Sequence, residues 1–156
     1  MNYTYPSPLG DIFIAYNNYY IKALLFDVTE DSDVDSPPNP IITQCIKELD
    51  AYFAGELFEF TVPFDYGGTP FQRSVWEAIA SIPFGQVVTY GDIGRQIGNG
   101  SAYRAIGNAT GRNPISIILP CHRVVAVGGL GGYAGGIWRK EWLLEHEKNV
   151  DIKRKK

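Results

Sequence analysis

Cys121 stands in the run Leu119-Pro120-Cys121-His122-Arg123-Val124, with a histidine directly after it and an apolar stretch, Ile115 to Leu119, leading in. A free thiol with a pKa near 8.5 is only a few per cent thiolate at neutral pH, so a nucleophilic cysteine needs a base or a positive charge beside it. A drop of about 1.5 units would make roughly half of it thiolate. His122 is the adjacent candidate, but neighbouring side chains in a regular element point apart. Direct Cys–His contact therefore needs irregular backbone, or a bridging water. A third group should orient the imidazole. Glu147 is a candidate, and the sequence alone leaves Glu141 and Glu145 open beside it. The competing reading of Cys121 is a small buried hydrophobe.

The segment before this run has the pattern of two short helices. Thr89 can cap a helix whose Tyr90, Ile93 and Ile97 share one face, and Gly98-Asn99-Gly100 makes a tight turn. Ser101 is expected to cap a second helix, with Ala102, Ala105, Ile106 and Ala109 turned inward and Tyr103, Arg104 and Asn108 turned elsewhere. Gly111 is a natural stop. Two such helices around a glycine-containing turn fit a helix-turn-helix. Ala102, Ala105, Gly107 and Ala109 keep the second helix slim, and Arg104 is its one long cation. A slim helix with a projecting arginine suits insertion into a groove. An exposed arginine without a role is the plain alternative.

Upstream, Thr69-Pro70-Phe71-Gln72 has the composition of a capping box with proline at the first helical position, and Val75, Ala78, Ile79 and Ile82 recur at helical spacing. The first 26 residues read as strands: Asp11–Tyr16 and Tyr19–Phe26 joined at Asn17-Asn18, with a third over Tyr3–Tyr5 before the turn at residues 6–10. Residues 27–40, acidic and proline-rich, predict an exposed loop. A helix is expected over Ile41–Ala54, with Ile42, Cys45, Ile46, Leu49 and Phe53 as its apolar stripe, and a last strand over 57–64. Gly67-Gly68 marks a boundary. The fold class is thus α+β: an N-terminal lobe of antiparallel sheet plus helix over 1–66, then a mostly helical domain with the helix-turn-helix over 67–156, ending in a basic tail from about 148.

Composition narrows the function classes. Apolar residues make up 45% of the 156, enough for a real core, and no apolar run approaches the roughly 18 to 20 residues of a membrane span. The N-terminus lacks the pattern of a secretory signal. Two cysteines make no disulfide framework, and Cys45 and Cys121 are read as free thiols in a reducing cytosol. With two histidines besides, no zinc-ligand spacing exists. The net charge of −3 divides into −9 over residues 1–66 and +6 over 67–156. That split points the second half towards a polyanion, although residues 148–156 supply +4 of it and read as a solvated end.

The stretch NPISIILPCHRVVAVGGLGGYAGGIWRKEWLLEHE, residues 113–147, resembles the active-site segment of the 6-O-alkylguanine-DNA alkyltransferases, the methylated-DNA–protein-cysteine methyltransferases. TPFQRSVWEAIASIPFGQVVTYGDIGRQIG and RAIGNATGRNP match the same family upstream in order and spacing, so the resemblance runs from about Thr69 to Glu147. It implies repair of double-stranded DNA containing alkylated guanine: the base is flipped out and its alkyl group passes from the 6-oxygen to a cysteine, once per chain. By motif position the acceptor is Cys121. His122 takes the thiol proton through a water, Glu147 orients His122, and Asn113 ties the helix-turn-helix to the active segment. Tyr90 helps neutralise the departing guanine, and Arg104 fills the gap left by the base. The implied DNA-binding face is Arg104 and Tyr90 with Ala102, Tyr103, Ala105, Gly107 and Asn108. Tyr133, Ala134 and Val124 belong to the base pocket, with the carbonyls of Cys121 and Val124 reading the guanine amino group. Many members have serine at Ala134, proline at Ser116 and alanine at Gly94. No metal or organic cofactor is implied, and the protein is expected to be a cytoplasmic monomer.

Other readings remain distinguishable. A binder of alkylated DNA without transfer activity would lack the acceptor cysteine. A thiol hydrolase would turn over repeatedly and have no use for Arg104. A sequence-specific regulator would carry base-reading side chains, which the second helix nearly lacks. The glycine run 128–136 is not a dinucleotide fingerprint, because no βαβ unit surrounds it.

Overall fold

The structure, a computed structural model, describes residues 1–28 and 39–155, so the loop expected over 27–40 lies, but for its ends, outside the described residues. The chain forms two compact units: Met1–Tyr66 with Pro114–Ser116, and Gly67–Asn113 with Ile117–Lys156.

The first unit is built on an antiparallel sheet of β1 (Asn2–Ser7), β2 (Gly10–Tyr16) and β3 (Ile21–Phe26), in that spatial order. Asn17 makes the β2–β3 turn by accepting the N–H groups of Tyr19 and Tyr20 at 2.8 Å each. Helix α1 (Pro40–Phe53) packs on β3, capped by Asn39, whose side chain accepts from Ile41 and Ile42. Its buried stripe is Ile41, Ile42, Cys45, Leu49 and Tyr52. Tyr52 therefore replaces Phe53 at the last turn, and Ile46 is only half-buried. Cys45 is inert core: burial pushes its thiol up to about 12.

The strand expected over 57–64 does not form. Only Phe64 bridges to Ile21, flanked by Ile21 N–H on Pro63 O at 2.8 Å and Asp65 N–H on Ile21 O at 3.1 Å. Two causes are visible. Pro63 has no N–H to give a ladder, and Glu48 of α1 takes the N–H groups of Thr61 and Val62 at 2.8 and 3.0 Å. A carboxylate on the helix outcompetes strand pairing. The remaining outer edge of β3 pairs with the excursion Pro114–Ser116: Leu24 N–H donates to Pro114 O, and Ser116 N–H to Leu24 O, each at 2.9 Å. A proline at 116 could not make the second bond.

In the second unit, α2 (Pro70–Ala80) starts on a full capping box of Thr69 and Gln72. A second box, Thr89 with Asp92, starts α3 (Tyr90–Gln96). Helix α4 (Tyr103–Gly111) follows after the turn at Gly98. The indole Nε1 of Trp76 on α2 donates to Ala109 O on α4 at 2.8 Å, pinning that helix at its C-terminal turn. Gly94 faces the turn between α3 and α4: a Cβ there would lie 3.0 Å from Asn99 O and 3.2 Å from the Ile106 side chain. The two helices meet closely because that side chain is missing.

Two details of α4 differ from expectation. Ser101 does not cap it; the turn runs on to Ala102, whose N–H reaches Asn99 O, and the helix begins at Tyr103 with no side-chain cap. Its inward face is Ile106, Ala109 and Thr110, whereas Ala105 is exposed and Ala102 half-buried. A parallel pair of two-residue strands, β4 (Val88–Thr89) and β5 (Val124–Val125), sets the start of α3 beside the end of a 3-10 turn at Cys121–Arg123. The unit closes with α5 (Ile137–Arg154). The expected basic tail is thus mostly helix, with Asp151 paired to Arg154 and Lys155.

Candidate active site

The backbone around Cys121 is irregular. Ile117 sits at φ 72°, Leu119 O accepts Cys121 N–H at 2.8 Å, and the single 3-10 turn follows. A β-branched residue in the left-handed region is strained, and the 1% exposure of Ile117 shows what holds it there.

Asn113, just past the end of α4, uses one amide group twice. Its Nδ2 donates to Leu119 O at 2.8 Å and to Cys121 Sγ at 2.9 Å. The helix-turn-helix and the cysteine segment are therefore joined through one buried side chain. Asn113→Ala removes both bonds but leaves Leu119 O its Cys121 N–H, and should lower unfolding free energy by about 0.5–1.5 kcal/mol in denaturant melts. An unchanged midpoint would sink that prediction.

His122 is fully buried. Its Nε2 lies 2.7 Å from Glu147 Oε2, and its Nδ1 has no hydrogen-bond partner among the described residues. Of the three glutamates open on sequence, α5 turns Glu147 inward, on one face with Lys140 and Leu143, while Glu141 and Glu145 are exposed. Glu147 also binds Arg123: Nε to Oε1 at 2.7 Å and Nη2 to Oε2 at 3.1 Å, with Nη1 on Ile82 O at 2.7 Å. Despite the cost of burial, His122 and Arg123 hold the Glu147 carboxyl far below the usual carboxylate range. Burial moves His122 down, against the pull of Glu147.

The thiol does not have the lowered pKa of an activated nucleophile. At 3% exposure, burial pushes Cys121 up to about 11, outweighing the Asn113 bond and the charge of Lys140. Burial thus favours the protonated thiol at Cys121 and the neutral form of His122.

Two charged residues given no role from sequence converge here. Lys140 is fully buried; its Nζ donates to Val124 O at 2.6 Å and Gly132 O at 3.0 Å, and no carboxylate among the described residues pairs with it. Burial brings it down to about 8. The other is Arg123. The available signal was their spacing: Lys140 and Glu147 fall at the helical period of Leu143, which puts charges at core positions.

A cleft of about 220 Å³ is lined by Tyr90, Gly107, Thr110, Gly111, Gly132, Tyr133 and Ala134. That is below the roughly 300–1,000 Å³ of pockets for drug-sized ligands and suits one small ring system. Gly132 N–H donates to the Tyr90 hydroxyl, and Tyr133 lies beside the Cys121 sulfur. Gly131, at φ +75°, permits this close approach: a Cβ there would be 2.9 Å from the Tyr90 hydroxyl. Val124 is fully buried outside this lining. Its carbonyl already accepts from Lys140, and that of Cys121 accepts from Val124 N–H. Tyr103, Arg104, Ala105 and Asn108 are exposed on α4, and Arg104 has no partner within the described residues.

The pattern of 6-O-methylguanine DNA methyltransferase, DNA binding domain, matches residues 70–149, and that of its ribonuclease-like domain matches 2–66. A methylated-DNA–protein-cysteine methyltransferase of Mycobacterium leprae is 46% identical over 147 residues, covering 92% of this chain and 89% of its own. One from Methanosarcina acetivorans is 42% identical, covering 92% and 95%. A crystal structure of Mycobacterium tuberculosis OGT in complex with DNA superposes with a TM-score of 0.85 at 44% identity, over 94% of this chain and 92% of that one. With both lobes matched and relatives this similar along nearly the whole length, the chain belongs to the 6-O-methylguanine DNA methyltransferase family.

Proposed function

We propose that this protein repairs DNA by taking an alkyl group from the 6-oxygen of guanine onto Cys121, irreversibly and once per molecule. The observation that carries the reading is the buried series Asn113–Cys121 and His122–Glu147 next to a cleft of nucleobase size. A thiol held protonated needs a base to open it, and His122 offers a bare Nδ1. The proton goes from the thiol to His122, the sulfur pair forms the new S–C bond, and the C–O pair leaves with the guanine. Tyr90 at the cleft edge can donate to the leaving base, where charge develops.

The reactive carbon of an alkylated guanine cannot be reached inside the stack, so the base must be extruded. Exposed Arg104 on the slim α4 supports filling the gap it leaves, and the uncapped first turn of α4 leaves N–H groups for a phosphate oxygen. Duplex DNA with an alkylated guanine is accordingly the proposed partner, met by a monomer. Arg104→Ala should change stability by less than about 0.5 kcal/mol, since the exposed side chain has no hydrogen bond or ion pair among the described residues to lose. It should slow transfer from duplex DNA by roughly 10- to 100-fold, with little effect on the free base. Equal slowing with both substrates would refute the wedge role.

The deciding experiment is intact-protein mass after incubation with a duplex carrying one O6-methylguanine. One added methyl, mapped to Cys121 and saturating at one per chain, supports the transferase. Lesion binding without mass gain leaves a damage binder, and repeated turnover leaves a hydrolase.

A further inference from the structure

Glu147 has two oxygens and two buried side chains on them, His122 and Arg123, with Gly85 N–H at a longer 3.5 Å from Oε1. Oε2 is shared between His122 Nε2 at 2.7 Å and Arg123 Nη2 at 3.1 Å, while Oε1 takes Arg123 Nε at 2.7 Å. The guanidinium is itself fixed by Ile82 O at 2.7 Å and by stacking over Phe84 at 5.6 Å. A carboxylate facing an imidazole alone, away from water, would favour the imidazolium as its counter-ion. Here that role is filled before the imidazole competes for it.

We propose that Arg123 is a positioning residue of the transfer reaction: by neutralising Glu147 it keeps His122 a neutral imidazole, Nε2–H towards Glu147 and Nδ1 bare to receive the cysteine proton. This rests on the alkyl-transfer reading and concerns how its base is prepared. Among the described residues, Arg123 in the same turn and Lys140 on α5 act on His122 besides Glu147, and the titratable Cys121 precedes it in the chain. With Arg123 and Glu147 cancelling, a resting imidazolium would add a second buried positive charge to that of Lys140, with no anion to meet it. Burial, then the Arg123 and Lys140 charges, all push His122 towards the neutral form; only Glu147 opposes them. During reaction the balance changes. When the proton moves from Cys121 to Nδ1, the thiolate forms together with the imidazolium, and the pair adds no net charge to the interior.

Two measurements test this. In the wild-type protein, the ¹⁵N shifts of His122 should show the Nε2–H tautomer at pH 7, titrating below the ordinary histidine range. An imidazolium at pH 7, or the Nδ1–H tautomer, overturns the proposal without any variant. Next, single-turnover methyl transfer from a duplex is followed against pH for Arg123→Gln and Arg123→Lys, corrected for folded fraction. Arg123→Gln should move the acid limb up by about one unit, a roughly tenfold loss below that limb recovered at higher pH. Arg123→Lys, which keeps the charge, should restore most of the wild-type profile. A pH profile unchanged in Arg123→Gln, with only a lowered melting temperature, reduces Arg123 to a structural residue. If the wild type moves no methyl group, the transfer reading itself has failed, and the NMR tautomer still judges Arg123 separately.

Discussion

With Cys121 exchanged for serine, the protein should still bind a duplex carrying O6-methylguanine, but no methyl group should reach it. The reason lies in the ionisation of the nucleophile. Burial holds the native thiol near 11, so the free protein carries very little thiolate at neutral pH. In the proposed mechanism His122 draws off that proton, because sulfur gives an anion of moderate basicity. A serine hydroxyl ionises several units higher, beyond what a neutral imidazole can open without a much larger barrier. The transfer rate is expected to fall by at least about 10⁴-fold, each pKa unit of added mismatch costing up to about 1.4 kcal/mol. The serine fits the site and can accept from Asn113 as sulfur does, so fold and binding should persist. Quenched-flow transfer with mass readout checks it; a methyl group found on the hydroxyl of the Cys121→Ser variant at a tenth of the native rate would overturn this account of the nucleophile.

The second large effect is expected at Glu147. Glutamine there keeps the shape and removes the charge, leaving the Arg123 guanidinium buried without its counter-ion. Breaking a buried pair from one side costs about 3–5 kcal/mol. Transfer should also slow by roughly 10²- to 10⁴-fold, the usual contribution of a positioned base, since the amide can turn its NH₂ to the imidazole and favour the wrong tautomer. The pH dependence has a definite sign. The folded carboxyl lies far below its unfolded value of roughly 4.3, so its contribution is present above that value and is lost as pH falls through the acid range. Denaturation between pH 3 and 7 should therefore give a steep fall below about pH 4.3 in the wild type and a shallower one in Glu147→Gln. Equal slopes would show that Glu147 is not the coupled carboxylate.

The sequence was most legible where structure is decided within a few residues. The capping box at Thr69 formed as its spacing required, Thr89 capped α3 as expected, with Asp92 closing a second box, and the Asn17 turn formed likewise. Local reading failed where distant groups compete for the backbone. Nothing inside residues 57–64 says that Glu48 will take their N–H groups, and nothing at Ser101 says that the preceding turn runs on to Ala102. Cys121 and His122 were candidates by chemistry, and the resemblance chose Glu147 over Glu141 and Glu145 and added Asn113; the fold brings His122 and Glu147 into contact while Asn113 meets the sulfur. Arg123 and Lys140 escaped because composition treats charge as surface, whereas here it is enclosed by helix α5 and the 3-10 turn.

The excursion of Pro114–Ser116 has a consequence for how the chain can be divided. A cut at Gly67 looks like a clean separation into two modules. Yet those three residues, which cover the outer edge of β3, come from far beyond that cut, between Asn113 and the strained Ile117. A fragment of residues 1–66 would present Leu24 on an open strand edge, and such edges recruit other chains. A fragment of 67–156 would carry Ile115, fully buried in the intact protein, with no sheet to receive it. The two units are consecutive in name only; they are laced together through the loop that leads to the cysteine, and neither could be traded for a foreign counterpart without rebuilding that loop.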